Sequence, residues 1–163
     1  MNLKSNSISL DLNRRKLNKL PRKVFGYEQL TDLNVRVNRF TDCSFAEIFS
    51  RLKTLNAGFN QIQNTEGLIG LHELENLDIT HNSIKHLNDI SELYRLHTLR
   101  CGFNPISDEK PLLNLNSLKI IDIQYTKILN FDFLQTFHAL EFLNVCNCFS
   151  YDNPVFKTLK NSV

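Results

Sequence analysis

The sequence predicts an α/β solenoid: a right-handed coil of short repeats, with a curved parallel β-sheet on the concave side and short 3₁₀ or helical turns on the convex side. Three observations predict it. Leucines open equivalent segments at 30, 52, 74, 96, 118 and 140, an unbroken 22-residue step. Each segment carries an alternating core of the L-x-L type, with Val, Ala, Ile or Cys also in the leucine slots, and closes on Asn or a small polar residue. Between these segments the apolar residues change to steps of three.

Taken in order, the first segment is Leu10-Asp11-Leu12, with Leu17 following. The second and third run Leu30-Thr31-Asp32-Leu33-Asn34-Val35-Arg36-Val37-Asn38 and Leu52-Lys53-Thr54-Leu55-Asn56-Ala57-Gly58-Phe59-Asn60. The fourth spans Leu74 to Asn82, the fifth Leu96 to Asn104, the sixth Leu118 to Thr126 and the seventh Leu140 to Cys148. Alternation in L-x-L sends both apolar side chains to one face and the middle residue to the other. One such strand cannot bury its apolar row alone, so stacked copies must build a shared core. The Asn at 38, 60, 82 and 104 falls where the chain leaves the strand. Its amide suits the task of bonding backbone groups that the turn would bury unpaired, so this ladder is read as structural. The linking segments carry Ile84, Leu87, Ile90 and Leu93, then Ile128, Phe131, Leu134 and Phe137. Steps of three suit 3₁₀ turns, in which side chains at i and i+3 eclipse.

These residues fit the pattern L-x-x-L-x-L-x-x-N/C-x-L of leucine-rich repeats nearly in full. The 22-residue spacing resembles the class that includes the regulatory subunit of protein phosphatase 1 and the bacterial internalins. The resemblance covers residues 8–159 and implies a single domain over 1–163, of about seven repeats starting near 7, 30, 52, 74, 96, 118 and 140. It is specific for fold and far less so for function. The first repeat is one residue longer, resembles the 23-residue class, and has Arg15 where Asn belongs. Thr126 and Cys148 take the Asn slot in the last two, and the seventh repeat degrades at Ser150 and Asn153-Pro154. Internalins are similar in repeat length, but no separate helical cap precedes Leu10 or follows Leu159.

Composition narrows the class of function. An apolar fraction of 42% with 22% charged residues belongs to a globular chain. No apolar stretch is long enough to span a bilayer, and Met1-Asn2-Leu3-Lys4-Ser5-Asn6 lacks the apolar core of a secretory signal. The four cysteines (Cys43, Cys101, Cys146 and Cys148) have irregular spacings, which predicts reduced thiols and a cytoplasmic location. The five histidines show no metal-ligand spacing, and Gly67, Gly70 and Gly102 form no phosphate loop. Neither metal nor nucleotide cofactor is expected. His81 lies near Asp78 and Tyr125, yet no nucleophile, oxyanion donor or enclosed pocket accompanies it, so no catalytic residue is assigned.

The net charge of +2 is uneven. Residues 1–23 carry seven basic side chains against Asp11 alone, which leaves the remainder acidic. Arg14, Arg15 and Lys16 form a basic lip on the first repeat. That lip is read either as a solvated cap protecting a sheet edge or as a contact for an acidic protein or anionic membrane. Nucleic acid is not expected, because the basic residues follow no groove with interleaved aromatics.

The concave face is the expected binding surface. Its middle row is Asp11, Asn34, Asn56, Asp78, Arg100, Asp122 and Asn144; the row before ends in Ile120 and Phe142. A further row brings Phe59, His81, Phe103 and Tyr125 into four consecutive rungs, with Gly58 and Gly102 beside two of them. Exposed aromatics among polar residues are typical interface anchors; the alternative is rings that pack on one another at the rim. Asp78, Arg100 and Asp122 are read either as partner recognition or as mutual surface ion pairs. Asn56, Phe59, Asp78, His81, Arg100, Phe103, Ile120, Asp122, Tyr125 and Phe142 are therefore the candidate protein-binding residues. The function expected is a non-catalytic protein-interaction module, with a monomer as the simplest state. Alternatives are a regulatory or scaffold subunit, either phosphatase-regulator-like or stacking end to end, and a host-targeting effector if the source is a pathogen.

Overall fold

The computed structural model describes residues 8–148, so Ser150, Asn153, Pro154 and Leu159 lie outside the described residues. Seven three-residue strands form one parallel sheet in chain order: β1 Ser9–Asp11, β2 Asp32–Asn34, β3 Thr54–Asn56, β4 Asn76–Asp78, β5 Thr98–Arg100, β6 Ile120–Asp122 and β7 Phe142–Asn144. The register is the one the 22-residue step predicts, with Leu33 opposite Leu55, Leu55 opposite Leu77, and Leu77 opposite Leu99. The connections carry six 3₁₀ turns, from Arg22–Gly26 to Asp132–Thr136.

Two inward ladders make the core on the sheet side. Leu33, Leu55, Leu77, Leu99 and Ile121 are buried, as are Val35, Ala57, Ile79, Cys101 and Ile123 two residues on. The steps of three supply the opposite wall: Ile84, Leu87, Ile90 and Leu93 are buried, and so are Ile128, Phe131, Leu134 and Phe137. Each such side chain contributes roughly 1.5–3 kcal/mol. At the ends of the described array, Leu10, Leu143 and Val145 are only partly buried, because each has a neighbouring repeat on one side among the described residues. Layers of turns also approach closely. A Cβ on Gly67 would fall on the Cys43 carbonyl, so only glycine fits there.

The Asn ladder works as a rivet between repeats. Asn104 Nδ2 donates to the carbonyls of Cys101 and Gly102 in its own repeat and of Ile79 in the one before. Its Oδ1 accepts from the Ile84 N–H at 3.0 Å. Asn60 and Asn82 repeat this pattern with Phe40 and Ile62 as donors to Oδ1. Asn38 does the same, and its Oδ1 accepts from both Arg15 and Leu17.

Candidate protein-binding surface

Each strand except β5 ends on an Asp or Asn of the middle L-x-L row. The Oδ1 of Asn34, Asn56, Asp78, Asp122 and Asn144 each accepts the N–H two residues on, at 3.0–3.2 Å, and Asp11 does the same at 2.8 Å. Such an Asx turn diverts the backbone from the ladder. The carboxylates of Asp78 and Asp122 are thus committed to their own turns, and Asp122 also accepts from Gln124 Nε2. Arg100 pairs in register with both residues, yet the structure links it to neither by an ion pair. The ion pairs among the described residues are Lys53–Glu75, Arg95–Glu73 and Lys119–Glu141. Mutual neutralisation therefore does not explain this trio. Arg100 is the one middle-row residue that cannot make the turn bond, and its side chain is exposed.

Three residues past the middle, the backbone turns left-handed. Arg14, Val37, Phe59, His81, Phe103, Tyr125 and Asn147 all have φ between 53° and 57°, as does Lys16 in the basic lip. A bulky residue pays of order 1–3 kcal/mol for this conformation. Hydrogen bonds across repeats hold it: Phe59 N–H donates to the Thr80 carbonyl, His81 to Gly102, Phe103 to Gln124 and Tyr125 to Cys146, at 2.8–3.0 Å. The shared backbone conformation points the four aromatic side chains the same way. Phe59, His81, Phe103 and Tyr125 stack with centroid separations of 4.0, 4.0 and 4.5 Å and interplanar angles of 23°, 11° and 16°. The Arg36 guanidinium caps the stack at Phe59, 4.3 Å from the ring centroid.

The aromatic row is both stacked and partly exposed. The rings do pack on one another, and the stack keeps an accessible edge: Phe59 is 39% and Tyr125 51% exposed, whereas His81 and Phe103 are half-buried. Gly58 and Gly102 are buried beneath the next rung, against Thr80 and Gln124, so they admit the close approach of repeats more than they bare the rings. Ile120 is half-buried, and Phe142 stands 52% exposed on the last strand. Asn56 is half-buried and held by its turn. Arg14, which opens the same left-handed row, is exposed, as are Arg15 and Lys16 after it.

Beyond Tyr125 the row ends in Asn147, and a recess of about 430 Å³ opens there, lined by Phe103, Asn104, Pro105, Tyr125, Thr126, Lys127 and Asn147. This recess was not legible from the motif, since it arises where the stack stops. A second apolar surface also escaped the sequence reading: Phe25, Tyr27, Ile48 and Ile69 are exposed along the turns of the first three repeats. Their signal was an outward apolar residue in turns whose inward positions were already filled. Of the cysteines, Cys146 is exposed, whereas Cys148 is buried and donates to the Ile123 carbonyl. Burial pushes the Cys43 thiol up to about 12 and raises that of Cys101 as well. Among the described residues no group of three His, Cys, Asp or Glu side chains could hold a metal ion. None of the described helices is long and apolar enough to cross a membrane.

An open parallel sheet backed by 3₁₀ turns and an Asn ladder defines a leucine-rich-repeat solenoid. Its solved structural counterparts include an internalin (inlF) from Listeria monocytogenes, superposing with a TM-score of 0.85 at 25% identity over 93% of this chain. Internalin C2 from the same organism superposes with a TM-score of 0.72 at 20% identity over 90% of the chain. This chain spans 44% of the first protein and 75% of the second. No protein-family model matches the sequence, and no curated protein sequence does.

Proposed function

We propose that this protein is a non-catalytic interaction module that takes a protein partner on its concave face, anchored by the aromatic stack and by Arg100. One observation carries the reading. Four aromatic residues occupy a left-handed backbone position that glycine fills without strain, and they keep an exposed edge there. Val37 and Asn147 adopt the same conformation without a ring, so the turn itself does not need one. Strain retained at a surface is a recurrent mark of binding sites, and aromatics with Arg supply most interface hot spots. The likeness in fold to internalins supports an interaction role.

The test is partner capture by wild type against the double variant Phe103→Ala/Tyr125→Ala. Capture is expected to fall at least tenfold. Two stacking contacts are lost, each worth about 0.5–1.5 kcal/mol, so the circular dichroism melt shifts by several degrees and remains cooperative. Undiminished capture by the folded variant would move the site off this face. Finer roles rest on the repeat-length resemblance. A phosphatase-regulator-like role requires a phosphatase catalytic subunit among the captured proteins, and a scaffold stacking through its ends requires concentration-dependent light scattering. Four unpaired thiols support action in a reducing compartment. The lip of Arg14, Arg15 and Lys16 supplies a peripheral contact for an anionic surface, and a host-directed effector role requires a host protein among those captured.

A further inference from the structure

The two ends of the aromatic stack differ. At Phe59 the outer ring face is covered by the Arg36 guanidinium. At Tyr125 the outer face meets the next rung, which holds Asn147, whose exposed short side chain cannot cover a phenol ring. Among the described residues the stack therefore stops at an uncovered π face bordering the recess of about 430 Å³. That recess has one charged residue in its lining, Lys127, and no ion pair satisfies it among the described residues. Asn104 and Thr126, buried at its base, are turned inward to backbone carbonyls, so they do not compete for an occupant.

We propose that the recess beyond Tyr125 receives an aromatic side chain of the partner protein, which stacks as a fifth ring, with a carboxylate next to it in the partner meeting Lys127. The chemistry follows from the lining. A recess lined by the rings of Phe103 and Tyr125, at the end of a 4.0–4.5 Å stack, offers a planar ring a stacking partner. The single unpaired ammonium group selects against a cationic neighbour and for an anionic one. A partner guanidinium, which would mirror Arg36 at the other end, is disfavoured by the same Lys127. This inference rests on the concave-face reading and assigns the partner's anchoring group.

Blocked dipeptides test it on the full chain by NMR. Acetyl-tryptophanyl-aspartyl amide is expected to give saturable upfield shifts at the Tyr125 ring and the Asn147 side-chain amide. Acetyl-alanyl-aspartyl amide should give none, and acetyl-tryptophanyl-lysyl amide should bind severalfold more weakly. Lys127→Ala should weaken the aspartyl probe about threefold, as for an exposed ion pair. Asn147→Phe, at a backbone position where Phe59 and Phe103 are already accommodated, should place the protein's own fifth ring in the row and abolish binding. Absence of saturable shifts, or binding unaltered by Asn147→Phe, overturns the proposal. Nuclear Overhauser contacts from the Tyr125 ring to residues 149–163 in the free protein overturn it too, by showing the recess already filled. The concave-face reading is judged separately, by capture with Phe103 and Tyr125 replaced, so the two can fail independently.

Discussion

The slot that closes each strand is filled differently in the middle and at the C-terminal end of the array. Asn60, Asn82 and Asn104 bond carbonyls of two repeats and accept an N–H of the repeat before. Thr126 keeps only the near part of this job. Its Oγ1 bonds the Ile123 carbonyl at 2.8 Å and shares a 3.3 Å contact with Cys148 Sγ. Cys148 reaches back to the same carbonyl at 3.0 Å. The Ile106 N–H, which follows Phe40, Ile62 and Ile84 in the series, therefore has no carboxamide oxygen to meet. Thr126 satisfies its own turn, and Cys148 keeps one bond to the repeat before, but neither supplies the oxygen with which Asn also accepts an N–H of that repeat. In a solenoid, where stability is roughly a sum of repeat and neighbour terms, that coupling decides how cooperatively the array unfolds.

The largest effect is expected at Asn104. Asn104→Ala leaves buried carbonyls and the Ile84 N–H without partners, each costing about 1–3 kcal/mol. A loss of about 3 kcal/mol or more is expected in urea denaturation, with a second, earlier transition as the last repeats uncouple. Asn104→Thr sharpens the point. It should cost about half as much, because the bond to the Cys101 carbonyl survives and the inter-repeat ones do not. The reverse change, Thr126→Asn, should stabilise by about 1 kcal/mol and slow exchange of the Ile106 amide at least fivefold. No stabilisation would mean that the Thr126–Cys148 pair already couples the last repeats. The smallest effect concerns the thiols. In the native protein iodoacetamide should modify Cys146 alone at pH 8, since burial and a raised pKa keep Cys43 and Cys101 protonated. Mass spectrometry after brief labelling checks this.

The fold was legible because its determinant is periodic. A 22-residue step with L-x-L at a fixed offset leaves one register in which every apolar row faces inward. The Asn ladder was legible for the same reason. The candidate site was only half so. The row containing Phe59, His81, Phe103 and Tyr125 could be written down from spacing, but its left-handed backbone could not, since Phe and Tyr do not signal a positive φ. The middle row was read for its charge, although Asp or Asn at six of seven positions was the signature of a turn-forming side chain. The recess beyond Tyr125 depends on how far Asn147 reaches, which no pattern states.

Sequence by itself therefore determined which residues share a row, because rows follow from the repeat length and the two-residue period of a strand. Tertiary structure decided what each row does. Whether four rings lie face to face, whether Asp78 and Asp122 serve turns or Arg100, and where the stack stops all depend on backbone angles. Those angles are held by hydrogen bonds from one repeat to the next, and such bonds exist only once neighbouring coils are in place.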